Sequence, residues 1–392
     1  MSKRPRDGRT GGGPRPHRAR HGVIAGYFLK VIRESLGLTQ EALTERLEVD
    51  KNTVRGWESG RRSLTVTRVA SMVDLRHRLR CLGADPEVLD SMDQATEADY
   101  FLSYVLETDP EDIRLDDHLL ATWVMKRAFA EMLGWPFTHE PPLALRQLPE
   151  VSRRGPVPPG PLLAGRERDH FFGHLRIAAE TSLAPAFCAR TTASLLRRQA
   201  YYLCSWTTSP ESRTWLGQMD PAERRLIADR DRWSPSWMAL RSLAVAQARE
   251  GDPDPLRFFI KTSINSDECH AANLNYWAYW VGEINPTYGS DHFISNGLGR
   301  WRGDTLLRRL HDRLASSELA IDIYVHTLWA LLQRRAWLLE EDLASARSLC
   351  DRVEALIDTP GISDQSRREL ESISLAIPLL QSFARRRGHL DA

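Results

Sequence analysis

Three observations predict an all-α fold for this chain of 392 residues. Apolar residues recur at helical spacing through most of the sequence. No strong apolar–polar alternation of period two, the pattern of a half-buried strand, is found. Glycine and proline clusters such as 251–255 and 359–361 fall between the helical stretches, where they end helices. The length predicts two or three domains, and 42% hydrophobic residues are enough for substantial cores.

The chain begins with a basic tail. Residues 1–21 hold seven Lys or Arg against one Asp and too few apolar residues to fold. This tail is interpreted either as an arm that reaches along a nucleic acid or as a solubilising leader.

Helical periodicity begins after the tail. Residues 23–36 form one amphipathic stretch, and Gly37 is well placed to end it. Thr39 can cap a second helix and Asp50 a third, because their side-chain oxygens can accept from the free N–H groups of a first turn.

Residues 38–62, LTQEALTERLEVDKNTVRGWESGRR, place these two short helices on either side of a tight connection. The later helix would bury Val54 and Trp57. Its N-terminal side would show the polar Lys51 and Asn52. Such a helix can enter the DNA major groove, where each base pair presents its own pattern of donors and acceptors. An ordinary helical hairpin with a solvated polar face is the alternative.

This stretch resembles the helix-turn-helix of phage-repressor-like (XRE) regulators. Residues 38–41 are similar to the opening of that family's second helix, and residues 54–62 to the end of its recognition helix and the basic turn after it. The resemblance covers about residues 22–82. It departs from the family at Glu48, where the family usually has a glycine with positive φ. It implies an N-terminal five-helix lambda-repressor-like domain.

When the positions of the family motif are matched one by one to this sequence, the resemblance also implies three sets of site residues. The expected base contacts are Lys51, Asn52 and, at the groove edge, Arg55. Gly56 falls at a base-facing place but offers no side chain. The expected contacts to the DNA backbone are Gln40, Thr53, Arg61 and Arg62. The expected structural ion pair is Arg33 with Glu58. A solvated surface pair is the alternative interpretation of Arg61 and Arg62.

Two further helical segments are predicted before the linker. A fourth helix is expected to open at Ser63 or Thr65 and to contain the apolar residues Val66, Val69, Ala70 and Val73. The acidic stretch 83–118 carries one Arg against twelve acids, and its interspersed apolar residues predict helix. It is interpreted either as the outer face of a packed helix or as a segment that docks against the basic face and restrains DNA binding.

The charge distribution supports a nucleic-acid partner although the net charge is only +1. The tail carries +6, residues 22–82 carry +4 and residues 83–118 carry −11. Basic charge therefore sits on and before the helix-turn-helix, where phosphate neutralisation would need it.

A proline-rich linker is predicted between Pro136 and Pro161, where eight of 26 residues are proline. That density is expected to exclude helix and to favour an extended chain. The resulting domain prediction is a tail at 1–21, the helix-turn-helix domain at 22–82, an acidic helical segment at 83–135, the linker at 136–161 and an all-helical regulatory or dimerisation domain at 162–392.

The second half is predicted to be an antiparallel helical array. A tetratricopeptide-like array is the analogy for it, but the sequence does not show the signature of that repeat. Helices are expected near 166–182, 191–206, 221–232, 236–250, 268–282, 304–317, 320–341, 342–358 and 364–385.

The most unusual stretch of this half is 273–283, in which aromatic residues alternate with amides. Such residues can line a groove for a small molecule or a peptide, and more often they form a core with a polar edge. The candidate effector pocket predicted from this stretch comprises Asn273, Tyr276, Trp277, Tyr279 and Trp280.

Catalytic and metal-binding motifs are not legible. His170 and His174 have the spacing of two ligands on a helix, but no HExxH carboxylate lies between them. No cofactor, metal or catalytic residue is predicted. The longest charge-free run is too short to span a bilayer, and the five dispersed cysteines suggest reduced thiols in a cytosolic protein.

The sequence therefore predicts a sequence-specific transcriptional regulator that binds double-stranded DNA as a homodimer. It is expected to be cytoplasmic and associated with the nucleoid, with a small-molecule or peptide effector. The alternative is a protein-interaction module, such as an antitoxin or scaffold, with DNA binding secondary. An enzyme in the helical half is the third possibility, which a bound cofactor would reveal.

Overall fold

The computed structural model describes residues 22–149, 158–207, 209–315 and 317–390, and the predicted all-α class is confirmed because these residues contain no strand. The basic tail lies outside them. None of the described helices is long and apolar enough to cross a membrane. The helices of the first part are α1 (Val23–Ser35), α2 (Gln40–Leu47), α3 (Lys51–Glu58), α4 (Val69–Cys81), α5 (Pro86–Asp90), α6 (Met92–Glu107), α7 (Leu119–Thr122), α8 (Arg127–Thr138) and α9 (Leu143–Arg146).

The second part is helical as predicted, but not every helix lies where the prediction placed it. The helices are α10 (Gly165–Ser182), α11 (Thr191–Cys204), α12 (Pro210–Leu226), α13 (Pro235–Arg249), α14 (Asp254–Ser263), α15 (Asp267–Trp280), α16 (Asp304–Arg313), α17 (Ile321–Arg334), α18 (Leu338–Glu341), α19 (Leu343–Ile357) and α20 (Asp364–Leu390). Short 3-10 helices occupy Pro110–Asp112 and Asp291–Ser295.

The turns of the first three helices form as their side chains predict. Gly37 follows α1 with a φ of 67°, in the left-handed region. The Thr39 hydroxyl accepts from the Ala42 N–H at 3.1 Å and so caps α2. The Asp50 carboxylate accepts from the Asn52 N–H at 2.8 Å and caps α3. These predictions are confirmed.

The prediction for the fourth helix is wrong in its start, and Val66 therefore lies outside the helix. Helix α4 begins at Val69, and Ser63 instead accepts from the Thr65 N–H at 3.0 Å in a local turn. Leu75 and Leu79 are buried, together with the half-buried Met72. Val66, Val69 and Val73, the valines named for this helix, are 82%, 81% and 62% exposed. Helix α4 has two apolar stripes at helical spacing, and the stripe that contains Leu75 and Leu79 is the one that is buried.

The acidic stretch packs against the helix-turn-helix. Helix α6 lies against α1, α8 and α10, with Phe101, Leu102 and Val105 buried. On the exposed side Arg76 of α4 pairs with Asp90 and Asp93, at 3.2 and 2.9 Å. The geometry is that of a packed helix with an acidic outer face.

The prediction that prolines exclude helix from residue 136 onward is wrong. Pro136 lies inside α8, near its C-terminal end, and is buried between Trp135 and Phe137. Arg168 donates to the carbonyls of Pro136 and Phe137, at 3.0 and 3.3 Å. These two carbonyls of the last turn of α8 therefore have hydrogen-bond partners outside the helix. Burial of the two aromatic rings offsets the cost of an internal proline, about 3 kcal/mol.

Two predictions of helix bounds in the second half are also wrong because they treat prolines as breaks. Pro221, expected at the start of a helix, lies inside α12, which begins at Pro210 behind the Ser209 cap. Helix α14 was not predicted because its flanking prolines suggested a break. Pro255 occupies its first turn, where the missing N–H needs no partner.

Most of the buried apolar residues form one cluster that runs from Ile24 to Ile377 and includes residues of both halves. A small second cluster comprises Val124, Leu195 and Tyr279. The end of the proline-rich stretch takes part in this packing. The Tyr27 hydroxyl donates to the Pro158 carbonyl at 2.6 Å, and a Cβ at Gly160 would lie 2.7 Å from the Trp135 indole nitrogen. Helix α8 therefore lies between α1 and the helical array.

Candidate nucleic-acid interface and effector region

The turn between α2 and α3 contains the residue at which the sequence departs from the family pattern. Glu48 has a φ of 53° and a ψ of 39°, the left-handed conformation that glycine usually adopts. Its carboxylate lies 3.0 Å from Arg78 of α4, and Arg78 also pairs with Asp74 at 3.0 Å. The turn keeps the geometry of the helix-turn-helix although no glycine is present.

Helix α3 lies unusually close to α1 because α1 has a glycine at the contact. A Cβ at Gly26 would lie 2.0 Å from the backbone oxygen of Trp57. Sequence reasoning missed Gly26, since a glycine inside an apolar helical pattern carries no sign of what approaches it.

A buried polar network joins α1, α2 and α3. The Glu58 carboxylate accepts from Arg33 Nε at 2.6 Å, from Arg33 Nη2 at 3.1 Å and from the Gln40 amide at 2.7 Å. The Arg33 Nη1 atom donates to the Leu38 carbonyl at 2.6 Å. The structure therefore pairs Arg33 with Glu58 as the resemblance implied. It directs the Gln40 amide, expected at the DNA backbone, onto the same carboxylate.

The outer face of α3 presents the expected base-contact residues. Lys51, Asn52 and Arg55 are exposed, whereas Val54 on the opposite face is fully buried and Trp57 is half-buried. Lys51 Nζ lies 3.0 Å from the exposed Glu41 carboxylate. The hydrogen bond from Lys51 lowers the pKa of Glu41. An acidic side chain thus stands beside the surface that would meet DNA.

The basic turn after α3 folds partly back onto the helix. Arg62 Nη1 donates to the Thr53 hydroxyl at 2.9 Å, and a Cβ at Gly56 would meet the Arg62 Cδ atom at 3.0 Å. Gly56, expected at a base-facing place, is therefore buried beneath the Arg62 side chain and is not part of the exposed face of α3. Arg61 is exposed and donates to the Ser59 hydroxyl at 3.1 Å.

The five residues of the candidate effector pocket are all buried in α15, between 0% and 8% exposed. Tyr276, Trp277 and Trp280 line a common cavity of about 170 Å³. Tyr279 points elsewhere, because its hydroxyl donates to the Val124 carbonyl at 2.6 Å and its ring packs on Phe293. Asn273 bonds to Arg241 and Thr327, at 2.9 and 3.0 Å. The structure brings three of the five together at one cavity.

The arginines of the cavity wall were missed by sequence reasoning. Arg241 and Arg249 come from α13, and Arg309 and Arg313 come from α16. The available signal was a charged residue inside an apolar helical run, as at Arg241 in WMALRSLAVA. Such a residue is rarely buried without a partner.

Comparison with known proteins bears on the N-terminal region. The family model described as helix-turn-helix matches residues 29–75, which include most of α1, all of α2 and α3 and the first half of α4. No curated protein and no solved structure matches the chain. The match supports a DNA-binding regulator. Residues 29–75 are thus a helix-turn-helix of the phage-repressor-like (XRE) type.

Proposed function

We propose that this chain is a sequence-specific DNA-binding transcriptional regulator whose helix α3 reads the major groove. The observation that carries the proposal is the division of α3 into two faces. Lys51, Asn52 and Arg55 are exposed, and Val54 is buried against the rest of the domain. Asn forms paired hydrogen bonds with adenine, and Lys and Arg reach the guanine acceptors, so this face carries side chains that discriminate bases.

Contacts to the DNA backbone are assigned to the surface beside that face. Arg61 is exposed directly after α3, and Arg62 is held across it by Thr53. Gln40 reaches a phosphate in this proposal only if its amide leaves Glu58. Phosphate contacts fix the register of a protein on the duplex and leave the choice of sequence to the base contacts.

The proposal includes a homodimer on a two-fold site, with half-sites about one helical turn, ~34 Å, apart. The exposed valines Val66, Val69 and Val73 support it, because they give the domain an apolar surface that the described residues do not cover. In this proposal, residues 162–392 supply effector sensing or dimerisation and have no catalytic role.

Selection of binding sites from a random duplex library tests the proposal. The wild type is expected to enrich a two-fold motif, and the variant Asn52→Ala/Arg55→Ala is expected to lose that motif. Arg80→Ala is the control, because it removes an exposed arginine from the far end of α4. An enriched motif without symmetry would contradict the dimer. Binding without any enriched motif would leave an interaction module with general DNA affinity.

A further inference from the structure

The cavity behind Tyr276, Trp277 and Trp280 carries a large excess of positive charge. Helices α8 and α9 form one side, and α11, α13, α15, α16 and α17 form the others. Its lining holds six arginines against two glutamates, Glu131 and Glu140. The arginines are Arg127, Arg146, Arg241, Arg249, Arg309 and Arg313. Of the six, Arg127 pairs with Glu131, Arg146 with Glu140 and Arg313 with Glu318. Arg241, which is buried, and the half-buried Arg249 and Arg309 have no carboxylate of their own.

Arg241 is the most deeply placed of these cations, with 2% of its surface exposed. Its Nε atom donates to the Asn273 side-chain oxygen at 2.9 Å, and its guanidinium lies over the Tyr276 ring at 4.6 Å. Its Nη2 atom is buried and has no hydrogen-bond partner among the described residues. Burial lowers the pKa of Arg241 to about 10. An acidic group in the cavity would give this free donor a partner.

The neighbouring arginines leave positive charge uncompensated as well. Arg127 and Arg309 share one carboxylate, that of Glu131, at 2.6 and 3.8 Å. Burial, with Arg127 and Arg313 nearby, lowers the pKa of Arg309 to about 10. Arg249 contacts a hydroxyl and a ring instead of a carboxylate. Its Nη1 atom lies 3.3 Å from the Ser205 hydroxyl, and its guanidinium lies 5.1 Å from the Tyr202 ring centre.

Aromatic rings form the other part of the wall. The Tyr276 and Trp280 rings are stacked, with centres 6.3 Å apart and an interplanar angle of 21°. The Trp277 ring lies 5.2 Å from the Tyr324 ring. The Trp277 indole N–H is buried and has no partner among the described residues. These flat surfaces favour a planar or apolar ligand body.

We propose that this cavity binds a small molecule with a carboxylate or phosphate group, which bonds to Arg241, and a planar body, which lies against Tyr276, Trp277 and Trp280. The ligand must be compact, since about 170 Å³ is below the roughly 300–1,000 Å³ of pockets for drug-sized ligands. A folded peptide is therefore too large.

The cavity is connected to the helix-turn-helix through α8. Arg127 and Glu131 line the cavity from this helix. Trp135 of the same helix packs edge-to-face on Tyr27 of α1, with ring centres 5.1 Å apart. Helix α1 in turn holds α3 through Arg33. A ligand that draws α8 toward the arginines thus acts on the DNA-binding domain, and this regulatory role rests on the proposed function.

Isothermal titration calorimetry on the full chain tests the ligand class. The probes are benzoate and phenyl phosphate, which carry the two acids on one ring, and benzyl alcohol, which lacks charge. Both acids are expected to bind with Kd values of roughly millimolar or below, and benzyl alcohol at least about tenfold more weakly. Equal binding of the alcohol, or no binding of either acid at millimolar concentration, would overturn the proposal. Binding of only one acid would identify the acidic group.

Two cavity variants make the test specific. Arg241→Gln and Arg309→Gln are each expected to weaken acid binding at least about tenfold. Arg213→Gln, which removes an exposed arginine outside the cavity lining, should leave it unchanged. Thermal melts identify a variant that has not folded. The other cavity variant then shows whether acid binding depends on the cavity arginines. Unchanged binding by a folded cavity variant would place the acid elsewhere.

DNA affinity measured on the same samples separates this inference from the proposed function. Acid binding without any change in DNA affinity would overturn the regulatory role and leave the ligand site. Acid binding by a protein that shows no sequence-specific DNA binding would overturn the proposed function instead.

Discussion

At the residue scale, the position of α3 depends on Gly26, which leaves room for the Trp57 carbonyl. We expect Gly26→Ala to force α1 and α3 apart, because the new Cβ would lie 2.0 Å from that oxygen and backbone cannot rotate away. The free energy of unfolding should fall by about 1–3 kcal/mol in urea titrations.

The control is Gly173→Ala in α10, where nothing lies within 4 Å of the new Cβ. Alanine is the better helix former there, so this variant should gain up to about 1 kcal/mol. Equal behaviour of the two variants would show that the close approach at Gly26 is not what the glycine provides.

The left-handed residue Glu48 gives a second prediction at this scale. Glu48→Gly and Glu48→Ala both remove the ion pair with Arg78, but only glycine adopts a φ of 53° without strain. The glycine variant should therefore be more stable to urea than the alanine variant, by about 1 kcal/mol. A more stable alanine variant would mean that the turn relaxes out of the left-handed region.

The structural role of Glu48 could be predicted from the sequence, and that of Gly26 could not. The position of Glu48 in the motif predicted a positive φ, because turn geometry is local. Gly26 was not predictable, since its role depends on a carbonyl about thirty residues away in the chain.

At the scale of elements, the N-terminus of α1 is capped from another helix. Gly22 offers no side-chain cap, and the Asp99 carboxylate of α6 accepts from the Ile24 and Ala25 N–H groups at 2.9 and 2.8 Å. Burial raises the pKa of Asp99 from 3.8 to about 7, while these two hydrogen bonds act in the opposite direction. The folded protein thus holds the Asp99 proton more tightly than the unfolded chain does.

The contribution of Asp99 to stability should consequently decrease as the pH rises from about 4 to about 7, because the favourable protonated form is lost through that range. Burial lowers the pKa values of His118, His174 and His270, and these groups act in the opposite direction. Asp99→Asn should remove the Asp99 contribution, so the free energy of unfolding in urea should rise more steeply with pH in the variant than in the wild type. A profile with the same slope in the variant would assign the pH dependence to other groups.

The contact between α2 and α3 carries a prediction about affinity. Glu41 holds Lys51 by an exposed ion pair at 3.0 Å, and its carboxylate would repel phosphates. Glu41→Gln should tighten DNA binding at low salt, with a difference that shrinks as salt rises. Glu45→Gln, an exposed glutamate on the same helix, is the control and should have the smaller effect in anisotropy titrations.

Most elements could be predicted from the pattern of the sequence, and the failures have specific physical causes. Helix α4 offered two apolar stripes, and only its packing decided that Leu75 and Leu79 are buried while Val69 and Val73 are exposed. Pro136 and Pro221 lie inside helices because the residues around them gain more from burial than the missing hydrogen bond costs.

At the scale of the whole molecule, the two halves share a large hydrophobic cluster, and both α6 and α8 contact α1 on one side and α10 on the other. The exposed face of α3 could be predicted because its residues lie within a motif of 25 residues. The arginine-lined cavity could not, because its walls come from seven helices between Arg127 and Tyr324. No local pattern records that these side chains converge.

The central claim is that α3 reads individual base pairs. It is tested most directly by anisotropy titrations of the selected duplex and of every single-base-pair variant of it, with the wild type and Asn52→Ala. Asn52→Ala is expected to lose about 1–3 kcal/mol of discrimination at one position of each half-site and to keep the rest of the preference. An equal loss of affinity for all duplexes, with the pattern of preference unchanged, would contradict it.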